Sequence, residues 1–435
     1  MKKPLKKHLP LAAALLALPS CTSSEQANRL PLIEVRPASL ELPQIAVKAH
    51  HRHDQEITIT FANLAPELRL HNPQLAAARQ LIAEAQGKLA QSGLKANPEL
   101  EVSFETDRRL HELMLTAAYS QKFPRANRLL LEKKVSASLV AAAAEEVREV
   151  ERQLLGQARQ TLVAVLAFRQ EKELLAAQEK NARELATFIK EAAARGELSP
   201  LDSASALIEA QRYRNRARQL DIKLTLALAE LRPLFDLNAD GEIHAPGTLP
   251  PPQLPPLIVA SASRPDLAAL RHRARSAADE VSLEQARKYD DIEAGVFAGV
   301  GRDDELENEQ IIGLRVRIPL ATNDTNAGAV AAADARYRRL HQEAEALQRR
   351  IRSELAAYYG EMQQWQELAA SIKKELLPIS QKHIAETQAA YERGEIPLQD
   401  VLRAQDQELS LQSARLDALR EFHLAKSKYD MAADH

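Results

Sequence analysis

The sequence predicts a mainly α chain with β, internally duplicated, in which long antiparallel coiled-coil helices carry four short strands. Three observations predict it. Gly-containing turns recur at a fixed spacing, apolar residues recur in steps of three and four over very long stretches, and four short segments alternate apolar with polar residues. Composition agrees: of 435 residues only 4% are aromatic and 13 are Gly, whereas Ala, Leu, Glu, Gln, Lys and Arg dominate, as in long helices. The formal charge is −2 with no basic block, which argues against a nucleic-acid partner.

The N-terminus, MKKPLKKHLPLAAALLALPSC, reads as an export signal over residues 1–20. A basic start precedes an apolar stretch too short to span a bilayer, and small residues follow. The chain's single cysteine, Cys21, stands where cleavage is expected, with no disulfide partner available. L-P-S-C resembles a bacterial lipoprotein signal, which makes Cys21 the expected lipidation site and outer-membrane lipid its partner. A plain signal peptide with an incidental Cys is the alternative. Residues 21–56 are Pro-bearing and aperiodic, an extended segment behind that anchor.

Residues 57–245 and 264–435 form two repeats, separated by a Pro-rich linker at 246–263 that includes PGTLPPPQLPPL. NPQLAAAR (72–79) matches RPDLAALR (264–271) at an offset of 192. The segments around Phe123-Pro124 and Ile318-Pro319 match at 195, and RGELSPLD (195–202) matches RGEIPLQD (393–400) at 198. Three anchors in one order, with slowly drifting offsets, indicate duplication.

Within each repeat the pattern runs helix, two strands, very long helix, turn, helix. Val147, Val150, Leu154, Ala158, Thr161, Val165 and Phe168 keep a repeat near 3.5, and from Arg125 to Arg195 such a helix would measure roughly 105 Å at 1.5 Å per residue. The second repeat does the same from Tyr337 through Leu355, Met362 and Trp365 to Leu376 and Ile379, with a kink expected at Pro378. At the two RGE turns, Gly196 and Gly394 can take the left-handed position that closes a helix. Pro200 and Pro397 then fit the first helical position of the return, and Ser199 with Asp202 fits a reciprocal cap. These turns are therefore read as tips of antiparallel hairpins.

The strands lie at 99–105, 113–123, 291–301 and 310–320. Leu100, Val102 and Phe104 alternate with Glu99, Glu101, Ser103 and Glu105, and Ile312, Leu314, Val316 and Ile318 alternate with Ile311, Gly313, Arg315 and Arg317. One apolar face and one charged face at this length suit a tilted membrane crossing, with Glu99, Glu101, Glu293, Arg315 and Arg317 lining a watery lumen. A soluble hairpin packed on helices would show the same alternation. Four strands cannot close a barrel, and open edges are not tolerated in lipid, so a barrel requires two or more copies.

The lipoprotein-like start, NPQLAAAR, LKANPELEVSFE, SQKFP, AAARGELSPLD, RPDLAALR and YERGEIPLQDVLRAQ together resemble TolC-type outer-membrane efflux proteins over residues 60 to 430. The resemblance implies a homotrimer, each chain giving four strands to a twelve-stranded transmembrane barrel above a periplasmic tunnel of helices. It implies an equatorial band from residues around 232–263 and the C-terminus. It also implies an exit duct of a tripartite pump, docked by its hairpin tips onto a periplasmic adaptor and through it to an inner-membrane transporter of RND type. The NPEL-to-strand pattern is similar to the branch serving cobalt, zinc and cadmium pumps.

The resemblance places an acidic ring just past the second tip, where this chain has Asp400, with Arg403 at the family's next acidic position. Asp400 would line the pore entrance or pair with Arg403; alternatively it only favours a helix N-terminus. Arg195, Gly196, Asp202, Arg393 and Gly394 are the candidate adaptor contacts, or simply close the hairpins. His50, His51, His53 and Asp54 could ligate zinc or copper but fit a polar linker better. No Gly-rich phosphate loop or cysteine cluster suggests an enzyme, a cofactor or a resident metal. A periplasmic coiled-coil adaptor without a barrel, and an outer-membrane duct for type I protein secretion, are the rival readings.

Overall fold

A computed structural model of the chain describes residues 56–106, 113–196, 199–258, 264–302 and 308–434. The signal segment, Cys21, the His50–Asp54 cluster and nearly all of 21–56 lie outside the described residues. Everything described belongs to one unit, Gln44–His435.

The first repeat contains β1 (Glu56–Thr58), α1 (Leu64–His71), α2 (Pro73–Gln91), β2 (Glu99–Thr106), β3 (Leu113–Phe123), α3 (Arg128–Ala194) and α4 (Pro200–Leu231). After β4 (Glu242–His244), the second contains α5 (Pro265–Arg287), β5 (Ile292–Arg302), β6 (Asn308–Arg317), α6 (Ala327–Ser371), α7 (Leu377–Glu392) and α8 (Leu398–Ala433). Helix, two strands, long helix, return helix is thus realised twice. At 67 residues, α3 spans about 100 Å. Both long helices start behind an asparagine in the left-handed region, Asn127 (φ 57°) and Asn326 (φ 57°). Asparagine tolerates that conformation better than most residues, so the duplication extends to a backbone feature that residue matching alone did not reveal. Among the described residues no helix is long and apolar enough to cross a membrane.

The seam predicted for α3 is the one that packs. Val147, Leu154, Ala158, Thr161 and Val165 are buried, with Val150 and Phe168 half-buried beside them. In the second repeat Ile351, Leu355 and Met362 pack with Phe422 and Tyr429 of α8. Farther along, the expected seam breaks: Leu376 and Ile379 are exposed, while Leu377 and Ser380 are buried. The cause is a single π turn at Ile372–Leu376, where the Leu377 N–H reaches back five residues to the Ile372 carbonyl. A proline at 378 would press its ring on the carbonyl four residues earlier, and widening the turn relieves that contact. The inserted residue advances the buried face by one position. The helix thus continues past Pro378 without a stop, and its register shifts there.

The matched NPQL and RPDL starts of α2 and α5 do different work. Buried Asn72 accepts the Leu75 N–H at 2.8 Å and donates to the Leu234 carbonyl at 3.0 Å. Buried Arg264 instead bridges Asp266 and Glu354, both at 2.8 Å.

The segment expected to be a linker is a strap as far as residue 258. β4 pairs in parallel with β1, with Ile57 opposite Ile243, a three-residue pairing too short to give a sequence signal. Beyond it, the Leu249 N–H donates to Gln170 at 3.1 Å, Gln366 donates to the Pro252 carbonyl at 2.9 Å, and Tyr429 donates to the Pro256 carbonyl at 2.9 Å. Prolines keep their carbonyls as acceptors while offering no N–H, so long side chains on the helices take up the bonding. The His423 Nε2–H donates to the Pro250 carbonyl at 2.9 Å, and burial pushes the His423 pKa below its ordinary 6.5.

A folded-state pKa below the unfolded one means the unfolded state gains the proton first, so this contribution to stability is lost as pH falls below about 6.5. Amide exchange in residues 245–258 should therefore speed up between pH 7 and about pH 5.5 beyond its intrinsic change. His423→Gln should flatten that dependence, and an unchanged pH profile in the variant would contradict the role given to His423.

Candidate functional site

Two regions gather the residues singled out by sequence: a four-stranded sheet and the paired hairpin tips. The sheet runs β2–β3–β5–β6 with every neighbour antiparallel. Register sets Leu100 opposite Tyr119, Tyr119 opposite Val296, and Val296 opposite Leu314, so apolar rows from all four strands share one face. That face is open: Leu100 is 68% exposed, Leu314 73% and Ile312 82%. β6 ends at Arg317, three residues before the end predicted for it, because Pro319 cannot donate to a ladder.

The opposite face carries the predicted charges. Glu99, Glu101, Glu293, Arg315 and Arg317 line a shallow cavity of about 200 Å³ together with Lys122. Lys122 pairs with Glu99 at 2.7 Å, and Arg317 pairs with Glu293 at 3.0 Å. Arg315 lies over the Phe297 ring at 5.4 Å, and that ring occupies the space a side chain at Gly313 would fill. Lys122 and Phe297 were not singled out beforehand. Their alternation with apolar neighbours was the available signal. Among the described residues, the outer edges of β2 and β6 pair with nothing.

At the far end of the helices, both RGE turns close as expected. Gly196 (φ 80°) and Gly394 (φ 74°) are left-handed, and each is exposed with open space around it. Arg195 is exposed, and Arg393 forks onto Glu395 at 2.6 and 2.9 Å. Two details differ from expectation. Pro397 is the residue before α8 and Leu398 its first helical position, since Pro397 has extended ψ 153°. The Ser199 hydroxyl accepts the Leu201 N–H at 3.3 Å, but the Asp202 carboxylate closes no reciprocal cap. It accepts from the Tyr391 hydroxyl at 3.5 Å, across to the other hairpin.

Tyr391 is buried with Ile189, Ala206, Leu398 and Val401, so one apolar cluster joins the two tips. Burial, together with the Asp202 charge, pushes the Tyr391 pKa up to about 12, which keeps the phenol a donor at physiological pH. Sequence reading passed over Tyr391, although it replaces Ala193 at the 198-residue offset in a chain poor in aromatics. Asp400 and Arg403 do meet, at 3.6 Å along one helix face. Arg403 is exposed and Asp400 half-exposed, so the pair is worth at most about 1 kcal/mol.

The fold has known relatives. CusC, whose crystal structures describe folding and transmembrane channel formation, matches with TM-score 0.71 and 16% identity, over 86% of this chain and 91% of that one. The outer membrane protein VceC of Vibrio cholerae matches with TM-score 0.70 and 19% identity, over 86% and 95%. The open-state outer membrane channel MtrE of Neisseria gonorrhoeae matches with TM-score 0.64 and 14% identity, over 85% and 88%. Residues 258–427 match the outer membrane efflux protein family. Over that segment the chain resembles the family. No curated protein sequence matches it. At these identities the solved relatives speak for the fold, and the matched family segment coincides with most of the second repeat, including β5, β6, the π turn and the second tip.

If the Asp202–Tyr391 contact holds the two tips together, either Asp202→Ala or Tyr391→Phe removes the same bond. Amide exchange at 186–192 and 398–404 should then rise by up to about tenfold in each, the value of one ordinary hydrogen bond. The double variant should be no worse than either single one, whereas additive effects would show that the two residues act separately.

Proposed function

We propose that this chain is the outer-membrane exit duct of a tripartite efflux pump, assembled as a homotrimer. Each copy contributes its four strands to a twelve-stranded transmembrane barrel, with the charged face inward, and its helices to a tunnel through the periplasm. The observation that carries this reading is the sheet itself: an exposed apolar face, a charged face and two open edges in one element. In water such a face costs free energy, and in lipid such edges do; a closed ring of copies in a membrane satisfies both. An adaptor lacking a barrel would have no use for these rows. The fold shared with MtrE and VceC supports the same conclusion.

In this reading solute moves passively, driven by an RND-type transporter in the inner membrane through a periplasmic adaptor. The adaptor meets the exposed turns at Arg195–Gly196 and Arg393–Gly394, with Asp202 behind them. Asp400 and Arg403 stand at the entrance, near the cluster that holds the tips. Heavy-metal cations are the proposed cargo, supported by the resemblance of the NPEL-to-strand segment to that branch. Cys21 is the proposed lipid anchor.

Purified mature protein should need detergent for extraction and should conduct in planar bilayers. Asp400→Ala should raise single-channel conductance if the carboxylate narrows the aperture, and palmitate should label the wild type but not Cys21→Ser. Extraction in plain buffer with no conductance would overturn the duct. Unchanged currents in Asp400→Ala would remove Asp400 from the entrance.

A further inference from the structure

The apolar rows of the sheet end at Phe123, which is half exposed, and immediately beyond it the chain collects two cations around one aromatic ring. β3 and β5 pair at the middle of the sheet with Phe123 opposite Ile292, so residues leaving β3 and entering β5 meet at the same foot. There the Arg125 guanidinium lies 5.4 Å from the centroid of the Tyr289 ring, and the Lys288 ammonium lies 5.7 Å from it. The ring is 43% exposed. Among the described residues neither Arg125 nor Lys288 makes an ion pair. Asp290, next in the chain, is exposed and bridges to neither.

Their neighbours behave differently. Lys122 is paired with Glu99, Arg317 with Glu293, and Arg128 with Asp291 at 2.8 Å. Two like charges sharing one ring without a carboxylate repel each other, and an anion placed between them would relieve that. Tyrosine is favoured where an apolar layer gives way to water, because its ring prefers the apolar side and its hydroxyl the wet side. Arginine and lysine beside such a ring reach charged headgroups with charge-assisted hydrogen bonds.

We propose that Arg125, Lys288 and Tyr289 form a binding site for the phosphate of an anionic phospholipid, at the periplasmic boundary of the membrane. The inference rests on the sheet being membrane-inserted, as proposed above. Position selects lipid over soluble phosphate: the cations sit where the apolar rows stop, so acyl chains can lie along Phe123 and the rows above it. Because β3 and β5 are the two central strands, the site is complete within one chain and does not wait for a neighbouring copy.

The test uses the full-length protein in detergent, with retained lipid counted by native mass spectrometry after exposure to phosphatidylglycerol or phosphatidylcholine. Wild type should retain phosphatidylglycerol in preference to phosphatidylcholine. Arg125→Ala/Lys288→Ala should weaken phosphatidylglycerol retention about thirtyfold, leave phosphatidylcholine unchanged and keep wild-type helicity. Arg125→Lys/Lys288→Arg, which preserves both charges, should keep the preference, and this holds the test open even if the alanine variant folds poorly. Equal retention of both lipids by an inserted, conducting wild type would overturn the lipid site alone. Displacement of phosphatidylglycerol by millimolar inorganic phosphate would also overturn it, by revealing a small-anion site. Failure of the wild type to enter membranes would overturn both this site and the duct.

Discussion

A β-strand edge is a row of hydrogen-bonding groups, and in hydrocarbon each one left unpaired costs several kcal/mol. β2 and β6 present two such rows at the margins of a sheet whose apolar face is open to its surroundings. Water would satisfy the edges but not the face; lipid would satisfy the face but not the edges. Other features follow from that conflict. The charged residues retreat to the opposite face, where Glu99 pairs with Lys122, Glu293 pairs with Arg317 and Arg315 lies over the Phe297 ring. The two strands central to the sheet come from different repeats, so duplication is what lets one chain span four strands with only two loose edges.

The helices solve a separate problem, that of holding a long structure together without a globular core. Alanine-rich seams let α3 pack along most of its length, and the strap from β4 to residue 258 binds helices of both repeats through hydrogen bonds between its backbone and their side chains, Leu249 donating to Gln170 and the Pro252 and Pro256 carbonyls accepting. At the tips, one apolar cluster and one hydrogen bond, Tyr391 to Asp202, join two hairpins that are otherwise separate in sequence. A contact of that kind is small enough to be broken by a partner that binds the tips better when apart. The π turn before Pro378 lies in only one of the two repeats and gives the second hairpin a register that the first does not have.

Much of this was legible beforehand, for physical reasons. Period two and period 3.5 are direct consequences of strand and helix geometry, so the faces of β2, β3, β5 and β6 and the seam of α3 could be read residue by residue. What escaped depended on contacts distant in sequence or on one residue of register. Leu376 and Ile379 kept a perfect spacing that the π turn then displaced. Asp202 has the spacing of a cap, but its partner lies 189 residues away. The strap looked like a linker because proline has no periodicity, although its carbonyls are fully available. Asn127 and Asn326 carry the duplication in backbone angles, which residue identity only hints at.

Amide hydrogen exchange on the protein reconstituted in lipid, resolved for Glu99–Thr106 and Asn308–Arg317, tests the central claim most directly. If identical copies complete the wall, these marginal strands should be protected to within about tenfold of β3 and β5. Exchange about a hundredfold or more faster at both margins, with the central strands still protected, would mean that the edges remain open and that the sheet does not close in a membrane.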